Sequence, residues 1–352
     1  MDQITAEKET LKKSLPKMAE LNKLLAPYQK SDVRRSIWQL VNTLVPYVAL
    51  WVAIVYVMKI SYLLALPLIL LASLFLVRIF IFFHDCGHNS FFPSTKVNRR
   101  LGFWLGVLVF TPSEQWWKSH AIHHATSGNL DKRGHGDVTT LTVDEYFEQK
   151  FFGRVGYRLF RNPLIMFLLG PFYMFFISHR LALPNYGKRE TMSVVWSNMA
   201  LLGLAVGLSL LIGWKEYLLI QIPIMMIGGT IGIWLFYVQH QFEDAYWERA
   251  ENWDYVASAL LGASYYKLPK VLQWFSGNIG FHHVHHLSPR IPNYNLEPAH
   301  ENVEPIHRFA RVITIRDSLR TTRLKLFDEP IQRMVGFVKQ RAAVREQQTS
   351  GD

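Results

Sequence analysis

Four stretches of this chain are too long and too apolar for the surface of a water-soluble globule. Residues 36–58, 191–214 and 217–239 contain no Asp, Glu, Lys or Arg, and residues 61–83 contain one charged residue, Arg78. At about 1.5 Å per residue in a helix, each run covers the roughly 30 Å hydrocarbon core of a bilayer. Only Lys59 and Ile60 separate the first two runs, and only Lys215 and Glu216 the last two. The expected architecture is therefore an all-α membrane protein with four transmembrane helices in two tight hairpins. Arg78 sits near one end of its run, where its stem can bend outward and carry the charge to the headgroups.

Two shorter apolar runs need a separate argument. Residues 101–113 are too short to cross, and residues 162–178 are marginal, with Gly170-Pro171 at their centre. If both lie at the interface, the chain crosses four times. Both hairpin tips then face one side, while the other loops and both termini share the opposite side. That side holds eight Lys/Arg within residues 1–35 alone, against Lys59 and Lys215 at the tips. The excess of cations marks it as cytoplasmic. The expected division is a cytosolic tail at 1–35, a membrane domain at 36–330 capped by cytosolic helices, and a polar tail at 331–352. Leu11, Met18, Leu21 and Leu25 recur at roughly helical spacing, so the first tail can carry a surface helix. It lacks an apolar stretch of signal-peptide length, and no secretory signal is expected there.

Composition narrows the chemistry. Half of the 352 residues are apolar, 18% are charged, and the net charge is +11. The basic residues flank apolar spans, a pattern of anionic lipid surfaces rather than nucleic acid. A single cysteine, Cys86, rules out intrachain disulfides and metal sites built on several thiolates. Any metal must be held by nitrogen or oxygen. Cys86 has no base paired with it in the sequence pattern and reads as a spacer, not a nucleophile.

The fourteen histidines supply such ligands. His84 and His88 stand in HDCGH, just past the second apolar run. His120, His123 and His124 stand in HAIHH, and His282, His285 and His286 form the HxxHH frame of FHHVHHL. His240 follows the fourth run directly. On a helix, residues i, i+3 and i+4 share a face, so each set can aim its imidazoles at one point. One tetrahedral zinc takes four ligands. Nine imidazoles suit two metals with four or five each, and iron, copper, nickel or zinc all accept imidazole. His283 falls outside its frame and is expected to point away. His135, His179, His300 and His307 read as surface residues.

HDCGHNSFF, KSHAIHHATSGNLDKRG and GNIGFHHVHHLSPRIPNY resemble the three histidine boxes of the membrane fatty acid desaturases, with further similarity over residues 36–330. The subtype most similar is the bacterial acyl-lipid desaturase of the Bacillus type. The resemblance implies a non-haem centre of two iron ions, held by His84, His88, His120, His123, His124, His240, His282, His285 and His286. It implies an oxidoreductase of the bacterial cell membrane, with O2 as co-substrate, that places a cis double bond in the acyl chains of phospholipids. It also implies ferredoxin or flavodoxin as electron donor, because the chain carries no haem domain, flavin fingerprint or cysteine cluster of its own. An unactivated methylene has no acidic proton, so an oxidising metal centre is the chemistry such a reaction requires.

Around these boxes, Asp85 and Asp137 are candidates to accept a hydrogen bond from a ligand ring, and Asn278 to reach the centre through water. Trp116 and Trp117, with the run 101–113, are candidates to line an acyl tunnel; the plainer reading is interfacial anchoring. A hydroxylase or ketolase on the same scaffold is the nearest alternative. A metal transporter is remote, since its ligands belong near the bilayer midplane and these lie at helix ends.

Overall fold

The computed structural model describes residues 10–134 and 136–337 of the chain. His135, expected at the surface, lies outside the described residues. Among them the chain is mostly helical. The helices used below are α1 (Met18–Leu25), α2 (Val33–Met58), α3 (Tyr62–Gly87), α4 (Thr95–Leu108), α5 (Ser113–Thr126), α6 (Lys188–Ile212), α7 (Trp214–His240), α8 (Lys270–Phe275), α9 (His282–Leu287) and α10 (Asn293–Asn302).

Four helices, α2, α3, α6 and α7, are long and apolar enough to cross a membrane. They coincide with the four expected runs, shifted or extended by a few residues at their ends. At the start of α2, the Asp32 carboxylate accepts a hydrogen bond from the Arg35 backbone N–H at 3.0 Å and caps the helix. The second hairpin turns on Gly213 at φ 97°, a left-handed conformation that a side chain would oppose. α3 is the most enclosed of the four and packs against α2, α4 and α7, while α6 is the least enclosed.

The marginal run 162–178 is a broken element. Two π-helical turns, Ile165–Leu169 and Tyr173–Ile177, flank Gly170–Phe172, and the whole bends 64° against the preceding helix Phe151–Phe160. Length and composition alone would admit it as a fifth span. The end of α7, however, lies beside α5, because His240 and His123 approach to 3.2 Å. The chain therefore leaves α5 and enters α6 at the same end of the long-helix bundle. The run 101–113 is divided between α4 and the start of α5, with Phe110 at φ 54° in the turn.

A helical cap covers the histidine-bearing ends. α1 docks on it through Leu21 and Leu25, both fully buried, so the expected surface helix is packed, not free. Short strands fasten the cap: Ser264–Lys267 pairs parallel with Arg311–Thr314, and Leu326–Asp328 lies between Leu141–Thr142 and Arg333–Val335. Arg333–Val335 thus ties part of the expected C-terminal tail into a sheet, because the Leu326–Asp328 edge offers it backbone partners.

Candidate metal centre

The eight box histidines and His240 converge beneath the cap in two adjoining groups. His84, His88, His120, His124 and His285 form one, and His123, His240, His282 and His286 the other; within each, the candidate ligand atoms lie within 4.8 Å of one another. Each histidine frame was expected to aim at one point. Instead, each HxxHH frame divides. His120 and His124 serve the first group and His123 the second, while His282 and His286 serve the second and His285 the first. The i, i+4 pairs stay together because they stand one above the other on a helix; the i+3 residue is offset by about 100° from i+4, on the far side of i, and faces across. His124 and His286, from different groups, have ring centroids only 4.3 Å apart.

The inward atom is Nε2. His84 and His285 approach through Nε2 at 3.0 Å, as do His120 and His124; His285 and His124 do so at 2.9 Å. In the second group, Nε2 of His240 lies 2.9 Å from that of His282 and 3.2 Å from that of His123, and His282 lies 3.1 Å from His286. Nε2 of His88 is buried with no hydrogen bond. So many nitrogens converging on two points cannot all satisfy one another, since a neutral imidazole has one N–H. A cation at each point would satisfy them. Burial, then the neighbouring rings, holds His88, His120, His123, His124, His282, His285 and His286 well below the usual imidazole range, leaving them neutral as metal binding requires.

Two outer nitrogens are anchored. Asp85 Oδ1 lies 3.2 Å from His84 Nδ1, and the Gly262 carbonyl lies 3.2 Å from His240 Nδ1. The other Asp85 oxygen accepts from the backbone and side-chain N–H groups of Asn293, at 2.8 and 2.9 Å, and Asn293 exchanges hydrogen bonds with Gln39. Neither residue carries a sequence signal for this role: Asn293 stands inside the third quoted stretch but far from Asp85 in sequence, Gln39 lies outside all three, and the chain Gln39–Asn293–Asp85 forms only in the fold. Asn278, at φ 57°, donates to the Asn293 carbonyl at 3.1 Å and stands one residue removed from this chain. Asp137 Oδ1 accepts from the Gly134 N–H at 2.9 Å, a loop contact.

Trp116 stacks on His120 with ring centroids 4.5 Å apart and touches Phe80 and Phe83. Trp117 is buried, donates its indole N–H to the Phe83 carbonyl at 3.1 Å, and fills the space left by Gly87 and Gly102. His283 points away from both groups, and its Nε2 meets His300 Nδ1 at 3.0 Å. His300 is buried rather than on the surface, because it packs between Tyr265, Phe281 and His283. His179 is half-buried against the Phe110 carbonyl, and burial pushes its pKa down to about 4; His307 is exposed.

The family model described as fatty acid desaturase matches residues 60–314. The chain belongs to the fatty acid desaturase family. Its similarity to the fatty acid desaturase of Bacillus subtilis (strain 168) is 49% identity over 321 residues, 91% of both chains. More distant family members include a chloroplastic omega-3 fatty acid desaturase of Glycine max, 29% identical over 65% of this chain and 51% of the relative. Another is an sn-1 acyl-lipid omega-3 desaturase (ferredoxin) of Synechocystis, 26% identical over 65% of this chain and 64% of the relative. As a desaturase family member the chain is an oxidoreductase acting on fatty acyl groups. Its two imidazole groups are each arranged as a set that can hold a metal ion.

Proposed function

We propose that this chain is an O2-dependent diiron desaturase acting on the acyl chains of membrane phospholipids. The observation that carries the reading is the pair of adjoining, buried, carboxylate-poor imidazole groups at the ends of membrane-length helices. His84, His88, His120, His124 and His285 would hold one iron, and His123, His240, His282 and His286 the other. Bound there, the two irons would supply the oxidising power that removes hydrogen from an unactivated methylene. The overall change balances when two hydrogens leave adjacent methylenes and O2 takes them up with two electrons and two protons, giving a double bond and two waters.

The chain's own residues prepare the site for this. Burial keeps the ligand rings neutral. Asp85 and the Gly262 carbonyl orient His84 and His240 by fixing which ring nitrogen faces inward. Trp116, lying against His120, is the member of the tryptophan pair set to meet an acyl chain, whereas Trp117 is a packing element. The cap screens the site from water on the polar side. The excess of Lys/Arg on that side supports a cytoplasmic orientation in the cell membrane. The same basic surface suits an acidic one-electron carrier such as ferredoxin or flavodoxin; relatives from Synechocystis and Arabidopsis carry ferredoxin in their names.

Expression in cells lacking endogenous desaturation, followed by mass spectrometry of lipids, tests the reading. Acyl chains two mass units lighter are expected. Chains that gain an oxygen atom would instead assign a hydroxylase. Full turnover by purified protein with no donor protein would remove the carrier from the scheme.

A further inference from the structure

A second polar site opens beside the metal centre. A cavity of about 370 Å³ lies between the first turns of α2 and the cap, lined among others by Arg35, Trp38, Arg78, Lys270, Gln273 and Trp274. This volume falls within the roughly 300–1,000 Å³ of small-molecule sites. Arg78 is 3% exposed. Its Nε donates to Thr43 Oγ1 at 3.1 Å and its Nη1 to the Trp274 carbonyl, and the guanidinium stacks 4.0 Å from the Trp274 ring centroid. Among the described residues no carboxylate pairs with it. A buried cation without a counterion is costly unless an anion reaches it.

The rest of the lining repeats the same imbalance. Gln273 is 4% exposed, and its Nε2 donor has no acceptor. Arg35, at the rim, donates to Asn295 Oδ1 and the Tyr294 carbonyl and also has no carboxylate partner among the described residues. Lys270 is paired with Glu297, the one acid of the lining. Two guanidinium groups and a residue with an orphaned amide donor thus line a cavity whose one acid, Glu297, is taken up by Lys270. The exposed Trp38 flanks its mouth on α2, where an amphipathic ring suits the headgroup layer. Arg78 precedes His84 by six residues, about 9 Å along α3. Gln39 lines the same cavity and hydrogen-bonds Asn293, which holds Asp85.

We infer that this cavity binds the phosphate of a membrane phospholipid headgroup, with Arg78 and Gln273 at its floor and Arg35 at its rim. Phosphate oxygens are strong acceptors, and guanidinium is the side chain whose geometry matches them. The inference rests on the reading above only in treating the bound lipid as substrate. Seated there, the headgroup would hold its acyl chains beside the histidine groups.

Native mass spectrometry of the full chain in detergent tests this without iron or reductant. Phosphatidylglycerol is the probe, dioleoylglycerol the control lacking phosphate, and inorganic phosphate the soluble competitor. Retention of one phosphatidylglycerol per chain, with little dioleoylglycerol, is expected. Arg78→Gln should lower retention about tenfold or more, as expected on losing a charge-assisted contact. Arg35→Gln, at an exposed position that folding tolerates, should lower it as well, and it keeps the test valid if the first variant fails to fold. Undiminished retention in Arg35→Gln together with undiminished retention in any folded Arg78→Gln, or equal retention of dioleoylglycerol, would overturn the site. Displacement of the lipid by inorganic phosphate as readily as by fresh phosphatidylglycerol would make it a soluble-phosphate site and overturn the lipid assignment. Retained lipid without any desaturated product would leave the cavity intact and count against the proposed reaction alone.

Discussion

His123 and His124 are neighbours in the chain yet belong to different imidazole groups, as do His285 and His286. A single substitution can therefore strip one group while sparing the other. His123→Ala leaves three rings in the second group and five in the first. It is expected to abolish desaturation while lowering bound iron by about one atom per chain, because each group forms a site of its own; near-normal product from this variant would remove His123 from the centre. Asp85 acts at one step removed. Asp85→Asn keeps the shape but loses the charge and turns one of the two accepting oxygens, those meeting His84 and Asn293, into an NH2 donor. An outer partner of this kind is worth about 10–100-fold in metal affinity or activity. A metal titration with unchanged affinity would show that the charge of Asp85 is not what orients His84.

At the level of elements, the packing of α3, α4 and α5 turns on one side chain. A Cβ at Gly87 would lie 2.3 Å from the Trp117 ring, and one at Gly102 would lie 2.4 Å from it. The bulky ring occupies what the two glycines leave open and brings the HDCGH end of α3 against the HAIHH face of α5. Gly102→Val should overpack this junction and cost about 1–3 kcal/mol, seen as a lower thermal midpoint. An unchanged midpoint would mean that α4 shifts freely on its neighbours. Both helices carry ligands of the first imidazole group, so the same variant should also retain less iron.

The whole molecule buries many neutral imidazoles, and that has a consequence in acid. Burial holds seven of the eight box histidines well below their ordinary value of 6.5. His300 is lowered to about 4, again chiefly by burial. The unfolded chain binds protons at these positions once the pH falls below about 6.5, and the folded chain does not. Stability is therefore fully present above that pH and is lost as the pH drops toward the folded values, by up to about 1.4 kcal/mol per pH unit for each such group. Metal-free protein should melt at a lower temperature at pH 5 than at pH 7.5. A midpoint independent of pH would contradict buried neutral rings. Ferrous iron should raise the midpoint at pH 7.5, since a ligand that binds only the folded chain stabilises it.

The membrane spans and the histidine frames were legible along the chain because each depends on local spacing: apolar length for the spans, i, i+3, i+4 periodicity for the frames. The absence of thiolate ligands followed from composition. The division of the histidines between two groups was not legible, because it depends on how α5 and α9 are rotated against α3 and α7. His300 was misjudged as a surface residue, and Gln39 and Asn293 went unnoticed, since each owes its position to contacts across many residues of sequence. The break in the run 162–178 was not legible, because hydropathy measures length and composition but not direction. Arg78 was expected to bend its stem outward; packing instead turned it inward against Trp274, where it lines a cavity and not the open surface. Local periodicity is written in the order of residues, whereas rotation, depth and partnership arise only when distant segments close on one another.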